Sequence, residues 1–139
     1  GKFVFGDGVL ANPAEGYPTT SPFGYRTHPI TGAKKLHTGM DFGVPCGTPI
    51  RAAGDGIVVT SGWTGGYGNR VVISHGKIKG DSIASTYNHN TKLKVHDGQK
   101  VKKGQVISYS GTTGASTGCH LHFEIMKNGG YVDPKPFIF

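Results

Sequence analysis

Glycine supplies 24 of the 139 residues, more than twice the share of about 7% that an average chain carries. Each glycine inside a helix costs about 1 kcal/mol relative to alanine, and the longest stretch free of both glycine and proline runs only from Asp81 to Asp97. A helical bundle is therefore excluded. The glycines keep no three-residue period, and proline reaches only 8 residues, which excludes a collagen triple helix. With 35% hydrophobic and 17% charged residues, the chain is also too apolar for disorder. What remains is an all-β domain of antiparallel strands joined by tight turns, with little or no helix. A chain of this length buries about two-thirds of its unfolded surface, enough for a core without staples.

Strand signals alternate with turn signals along most of the chain. Ile83 to His89 has the β-type residues and loose alternation of a strand. Gly56 to Thr60, Arg70 to His75, Gln105 to Ser110, Leu121 to Met126 and Tyr131-Val132 are further candidates. Turn chemistry separates them at Gly54-Asp55-Gly56, Gly65-Gly66-Tyr67-Gly68-Asn69, Asp97-Gly98, Gly111 to Gly114 and Asn128-Gly129-Gly130. Residues 1–139 read as one domain. Residues 1–35, interrupted by proline and glycine, form an extended arm and loops, 36–132 the β core, and 133–139 a C-terminal tail.

The net charge of +7 implies attraction to a polyanion such as nucleic acid, anionic lipid or an anionic wall polymer. The basic residues do not choose among these, since Lys34-Lys35 and Lys100 to Lys103 are short groups beside turn glycines and read best as solvated faces. A nucleic-acid binder is disfavoured, because the chain has neither an aromatic stacking array nor a recognition-helix pattern. No apolar run approaches the ~18 residues of a membrane span, and Gly1 to Phe5 lacks a signal-peptide layout. An exported parent would carry its signal elsewhere.

Seven histidines carry the chemical content. His120-Leu121-His122 opens a strand-like run, where period-two geometry sends residues 120 and 122 to one face. His37-Thr38-Gly39-Met40-Asp41 has a four-residue spacing that would place His37 and Asp41 on one face of a strand, with Gly39 and Gly43 opposing a helix there. One carboxylate with imidazoles fits a zinc site of three N/O ligands and an open fourth position, leaving histidines over for acid/base work. Each motif alone is weak; together they are stronger. His28, His75 and His96 sit beside a proline or turns and read as structural. Tyr87 shares strand parity with His89, which would turn both toward a groove, although a packed tyrosine is the stronger reading.

Taken in order, Leu36 to Gly43, Gly47-Thr48-Pro49-Ile50, Gly68-Asn69, Tyr87-Asn88-His89-Asn90, Val101 to Gln105 and Ser116 to Glu124 resemble the LytM/lysostaphin-type peptidoglycan endopeptidases. The Ser21 to Pro29 stretch resembles an early segment of the same family. The resemblance implies a zinc metallopeptidase with a narrow groove floored by antiparallel sheet and walled by loops. Position by position, it makes His37, Asp41 and His122 ligands of one Zn²⁺, and His89 and His120 catalytic. The implied reaction is hydrolysis of a stem-peptide or cross-bridge amide in the cell wall, outside the cell; nothing in the sequence indicates an oligomer, and a monomer is expected. Anionic wall polymers are a further candidate partner, and no nucleic acid is expected.

Cys46 and Cys119 each adjoin a proposed active-site segment. A zinc pair is poor because neither lies in a C-x-x-C motif. A nucleophilic Cys119 would make the chain a cysteine peptidase. The preferred reading is a Cys46–Cys119 disulfide, since the zinc site implied by the resemblance already draws the two segments together through Asp41 and His122. A non-catalytic wall-binding module is the remaining alternative, and the intact set of five matched positions weighs against it.

Overall fold

Alternating apolar and polar side chains, cut by glycine turns, make the strands of this chain. The computed structural model describes residues 10–14, 16–21, 23–27, 34–78, 80–113 and 118–138. In chain order the strands are β1 (Thr19–Ser21), β2 (Gly24–Thr27), β3 (Lys34–His37), β4 (Met40–Phe42), β5 (Pro49–Arg51), β6 (Gly56–Trp63) and β7 (Asn69–Ile78). They continue with β8 (Asp81–Asn90), β9 (Lys92–Leu93), β10 (Lys100–Val101), β11 (Val106–Tyr109), β12 (Leu121–Lys127) and β13 (Gly130–Val132). Lys135–Ile138 forms one helical turn, α1.

An eight-stranded antiparallel sheet runs in the order β1-β4-β12-β8-β7-β6-β10, with β13 added beside β12. A three-stranded sheet, β5-β11-β9, and the β2–β3 pair complete the described architecture. Register sorts the large sheet into two faces. Met40, Phe123, Tyr87 and Val71 form one cross-strand row, and all four are buried. The next row, on the opposite face, is Asp41, His122 and Asn88. A period of two thus puts hydrocarbon on one side of the sheet and chemistry on the other.

The apolar face packs with Ile50 and Ile107 of the small sheet into one core. Phe123 stands at its centre, with its ring 6.4 Å from Phe42 and 5.3 Å from Tyr87. Each large apolar side chain fully buried there contributes about 1.5–3 kcal/mol. Leu10 and Phe137 join the same core, and the Leu10 amide donates to the Phe137 carbonyl at 2.9 Å.

The expected strands all form, several longer than the sequence indicated: β6 extends to Trp63, and β7 and β8 are joined by a tight hairpin around Gly80. Short strands also occupy parts of residues 1–35, namely β1, β2 and the start of β3, while β5 lies in a segment without a strand signal. Three or four residues offer too few alternating positions to stand out in a sequence. The Thr19 to Ser21 strand exists because β4 supplies its partner.

Candidate active site

The polar face of the large sheet assembles around His122. Its Nδ1 lies 2.8 Å from Asp41 Oδ1, and its Nε2 lies 3.1 Å from Glu124 Oε2. Glu124, two residues on and therefore on the same face, is completely buried. It accepts hydrogen bonds from Thr38 Oγ1 at 2.6 Å and Thr86 Oγ1 at 2.8 Å. The Arg70 guanidinium, stacked 4.1 Å over the Tyr67 ring, adds an ion pair to Glu124 at 3.4 Å. Asn88 braces His122 from the neighbouring strand, donating to the His122 carbonyl at 2.9 Å.

Charge balance follows from these contacts. Burial opposes ionisation of Glu124, but the hydrogen bonds from His122, Thr38 and Thr86 outweigh it and hold the carboxyl below its ordinary value. Burial likewise pulls His122 down, yet Asp41 and Glu124 overcome it and push the imidazole up to about 9. Each ring nitrogen of His122 thus faces a carboxylate.

That arrangement fits a metal ligand. A buried carboxylate fixes the ring through Nε2, as an outer partner of a metal-bound histidine does, while Nδ1 and Asp41 Oδ1 lie side by side, 2.8 Å apart. A divalent cation held by this pair would take the ring in its neutral form, as metal binding to histidine requires. Among the described residues no three His, Cys, Asp or Glu side chains are grouped to hold a metal. The third expected ligand, His37, ends β3 opposite Gly24, and its side chain lies outside the described residues.

One local expectation is corrected. His37 and Asp41 do not share a strand: His37 closes β3, Asp41 belongs to β4, and the two strands lie in different sheets. Thr38 and Gly39 make the break, because Gly39 lies so close to the Phe123 carbonyl that a Cβ would overlap it. This close approach lets Thr38 reach Glu124 and brings Asp41 opposite His122.

His120 and His122 do point to the same region. His120 Nε2 lies 3.8 Å from Asp41 Oδ1, and its Nδ1–H donates to the Gly118 carbonyl at 2.8 Å. Cys119, the preceding residue, is disulfide-bonded to Cys46 with 5.2 Å between Cα atoms. On the other side, the backbone of His120 bridges to Gly111.

His89 arrives by a different device. Its φ of +64° is left-handed, and the β7–β8 register shifts between Asn69 and Val71, so parity breaks after Tyr87. Tyr87 stays in the core with its hydroxyl bonded to the Ala53 amide at 2.9 Å, whereas the His89 ring stands 4.9 Å from His120 and 6.1 Å from His122. Tyr87 does not line the groove. His89 Nδ1–H donates to the Thr113 carbonyl at 2.7 Å. Burial, reinforced by the two neighbouring imidazoles, holds its pKa below the ordinary histidine value.

Residues 35–134 match the sequence profile of Peptidase family M23. The chain belongs to this family. It is 45% identical over 115 residues to the DD-carboxypeptidase/endopeptidase Mpg of Neisseria meningitidis, covering 83% of this chain and 26% of that protein. It is 43% identical over 110 residues to the peptidoglycan DD-endopeptidase ShyC of Vibrio cholerae, covering 79% and 24%. The chain thus spans about a quarter of these relatives' length. A zinc-containing peptidase from Vibrio cholerae shares the fold with a TM-score of 0.80 and 38% identity, over 91% of this chain and 38% of that one.

In this M23 domain the sequence signal named five residues, and the structure places Asp41, His89, His120 and His122 together. It also shows partners the sequence reading gave no role. Glu124 was legible in principle, two positions from His122 on the same strand face. Thr86, Arg70 and Thr113 come from other segments and carry no local signal.

Proposed function

We propose that this M23 domain is a zinc-dependent peptidoglycan endopeptidase, with His37, Asp41 and His122 as metal ligands and His89 and His120 as acid/base residues. The observation that carries the reading is the His122 imidazole suspended between Asp41 and buried Glu124, with two further imidazoles beside it. Family membership and the named relatives support the substrate class, a stem-peptide or cross-bridge amide of the bacterial wall. They also support action in an extracellular or periplasmic compartment. No helix among the described residues is long and apolar enough to cross a membrane.

Zinc held by these ligands would supply Lewis acidity, acidifying water and polarising a carbonyl. The protein's own groups set the proton path. With Nδ1–H committed to the Thr113 carbonyl, neutral His89 offers an Nε2 lone pair that accepts a proton from the attacking water. His120, its Nδ1–H committed to Gly118, likewise turns Nε2 toward Asp41 and the reacting region; whichever of the two imidazoles takes the water proton then stabilises the oxyanion and delivers that same proton to the leaving nitrogen. Glu124 and Thr38 hold His122 in one orientation throughout. The disulfide leaves Cys119 no thiol for a cysteine-peptidase mechanism.

The test is zinc analysis combined with muropeptide digestion of wild type, His122→Ala and His89→Ala. His122→Ala is expected to lose both metal and activity. His89→Ala is expected to keep metal and lose about 10²–10⁴-fold in rate. Full activity in His122→Ala would overturn the ligand assignment, and mass spectrometry of the fragments identifies the bond cut.

A further inference from the structure

A histidine in the left-handed region near the end of a central strand must be held there, because regular pairing would send it to the Tyr87 face and into the core. The bulge also removes ladder partners from nearby carbonyls. One side chain replaces them. Asn90, fully buried, donates from Nδ2 to the Tyr87 carbonyl at 2.9 Å and to the Asn69 carbonyl at 3.0 Å. Its Oδ1 accepts from Ser108 Oγ at 2.9 Å. Both amide hydrogens and the amide oxygen are engaged, which sets the side-chain orientation without ambiguity.

A second residue ties this brace to the imidazole. Thr113 Oγ1 donates to the Asn90 carbonyl at 2.6 Å and accepts from the Asn69 amide at 3.1 Å. The carbonyl of the same threonine accepts His89 Nδ1–H. Gly68, at φ +68°, closes against Thr113 where a Cβ would overlap it. An acceptor-only carbonyl at Nδ1 places the proton there and leaves Nε2 as the lone-pair nitrogen. Nε2 makes no hydrogen bond to any described residue.

We infer that Asn90 and Thr113 are positioning residues that hold His89 in its left-handed bulge beside His120 and His122, with Nδ1 protonated and Nε2 left without a hydrogen bond. The inference rests on the acid/base role proposed for His89. It adds that the state of this histidine is set by β7, β8 and the 111–113 segment, independently of the metal.

The decisive measurement is ¹⁵N imidazole NMR on metal-free protein, which reads the tautomer directly, alongside kcat and KM of the zinc-loaded enzyme. Wild type should show His89 as a single Nδ1–H tautomer. Thr113→Val keeps the branched shape but removes the hydroxyl; it should give a tautomer mixture and a kcat about 10- to 100-fold lower, with KM and zinc content unchanged. Thr113→Ser should restore both readouts. Asn90→Asp should act in the same direction and more strongly, and if it fails to fold, the Thr113 pair still decides. A single wild-type tautomer and unchanged kcat in Thr113→Val would overturn the inference. So would a fall in activity that only tracks the unfolded fraction. Because the tautomer is read without metal or substrate, its outcome is separate from that of His89→Ala, which judges the acid/base role itself.

Discussion

His75 and His89 begin from the same arrangement and end with opposite uses. Each donates Nδ1–H to a backbone carbonyl, His75 to Asp55 at 2.8 Å and His89 to Thr113 at 2.7 Å. The difference lies at the other nitrogen. His75 Nε2 accepts from Ser85 Oγ at 2.7 Å, Ser85 accepts from the Tyr87 hydroxyl at 2.7 Å, and Tyr87 accepts from the Ala53 amide. That chain is closed at both ends, so His75 is a structural group with no site left for a proton or substrate. His89 Nε2 ends no such chain. A histidine becomes available for chemistry here because its second nitrogen is left without a hydrogen bond beside His120 and His122, not because its ring is more exposed or its pKa more unusual. Burial lowers the pKa of both.

The comparison breaks most visibly in activity. His89→Ala should lose about 10²–10⁴-fold in kcat per folded molecule, measured by digestion assay with the folded fraction read by calorimetry. A His75→Ala enzyme with a comparable loss per folded molecule would erase the distinction.

Next in size is stability. His75→Leu removes a hydrogen-bonding ring and leaves Ser85 and the Asp55 carbonyl without it, which should cost about 1–3 kcal/mol by urea titration, with activity per folded molecule near wild type. Tyr87→Phe strands the Ala53 amide and should cost about 1–2 kcal/mol. Burial pushes this phenol up to about 12, so it remains a neutral donor across the working range, and the loss should not vary with pH.

The smallest effect is the pH dependence of stability. Half-buried His75 binds its proton less readily when folded than when unfolded, so its contribution is complete above 6.5, its ordinary value, and is lost as pH falls through the depressed folded value. Protonation would also force Ser85 to reverse its hydroxyl. His75→Leu should therefore flatten the acid side of the stability curve, and an unchanged slope would contradict the closed-chain account.

Much of the site was legible because it is written in short motifs. Period-two alternation put His120 and His122 on one side, and the same rule, extended by two residues, reaches Glu124. It failed where the backbone left the rule. The His37–Asp41 spacing spans a strand break at Gly39, and the step from Tyr87 to His89 crosses a bulge. Both departures answer to distant groups, the Phe123 carbonyl in one case and Asn69 and Thr113 in the other. Local sequence contains no sign of them.

The sequence by itself determined an antiparallel β domain, through glycines that helices do not tolerate and strands whose alternation separates a core face from a polar one. It also determined which residue types carry the chemistry. Only the tertiary structure decided that Glu124 is buried against His122, that Tyr87 and His89 part company, and that two similarly anchored histidines differ at one nitrogen. Alternation is a property of neighbours along the chain, whereas a hydrogen-bond partner across the fold exists only once strands from remote segments have been brought into register.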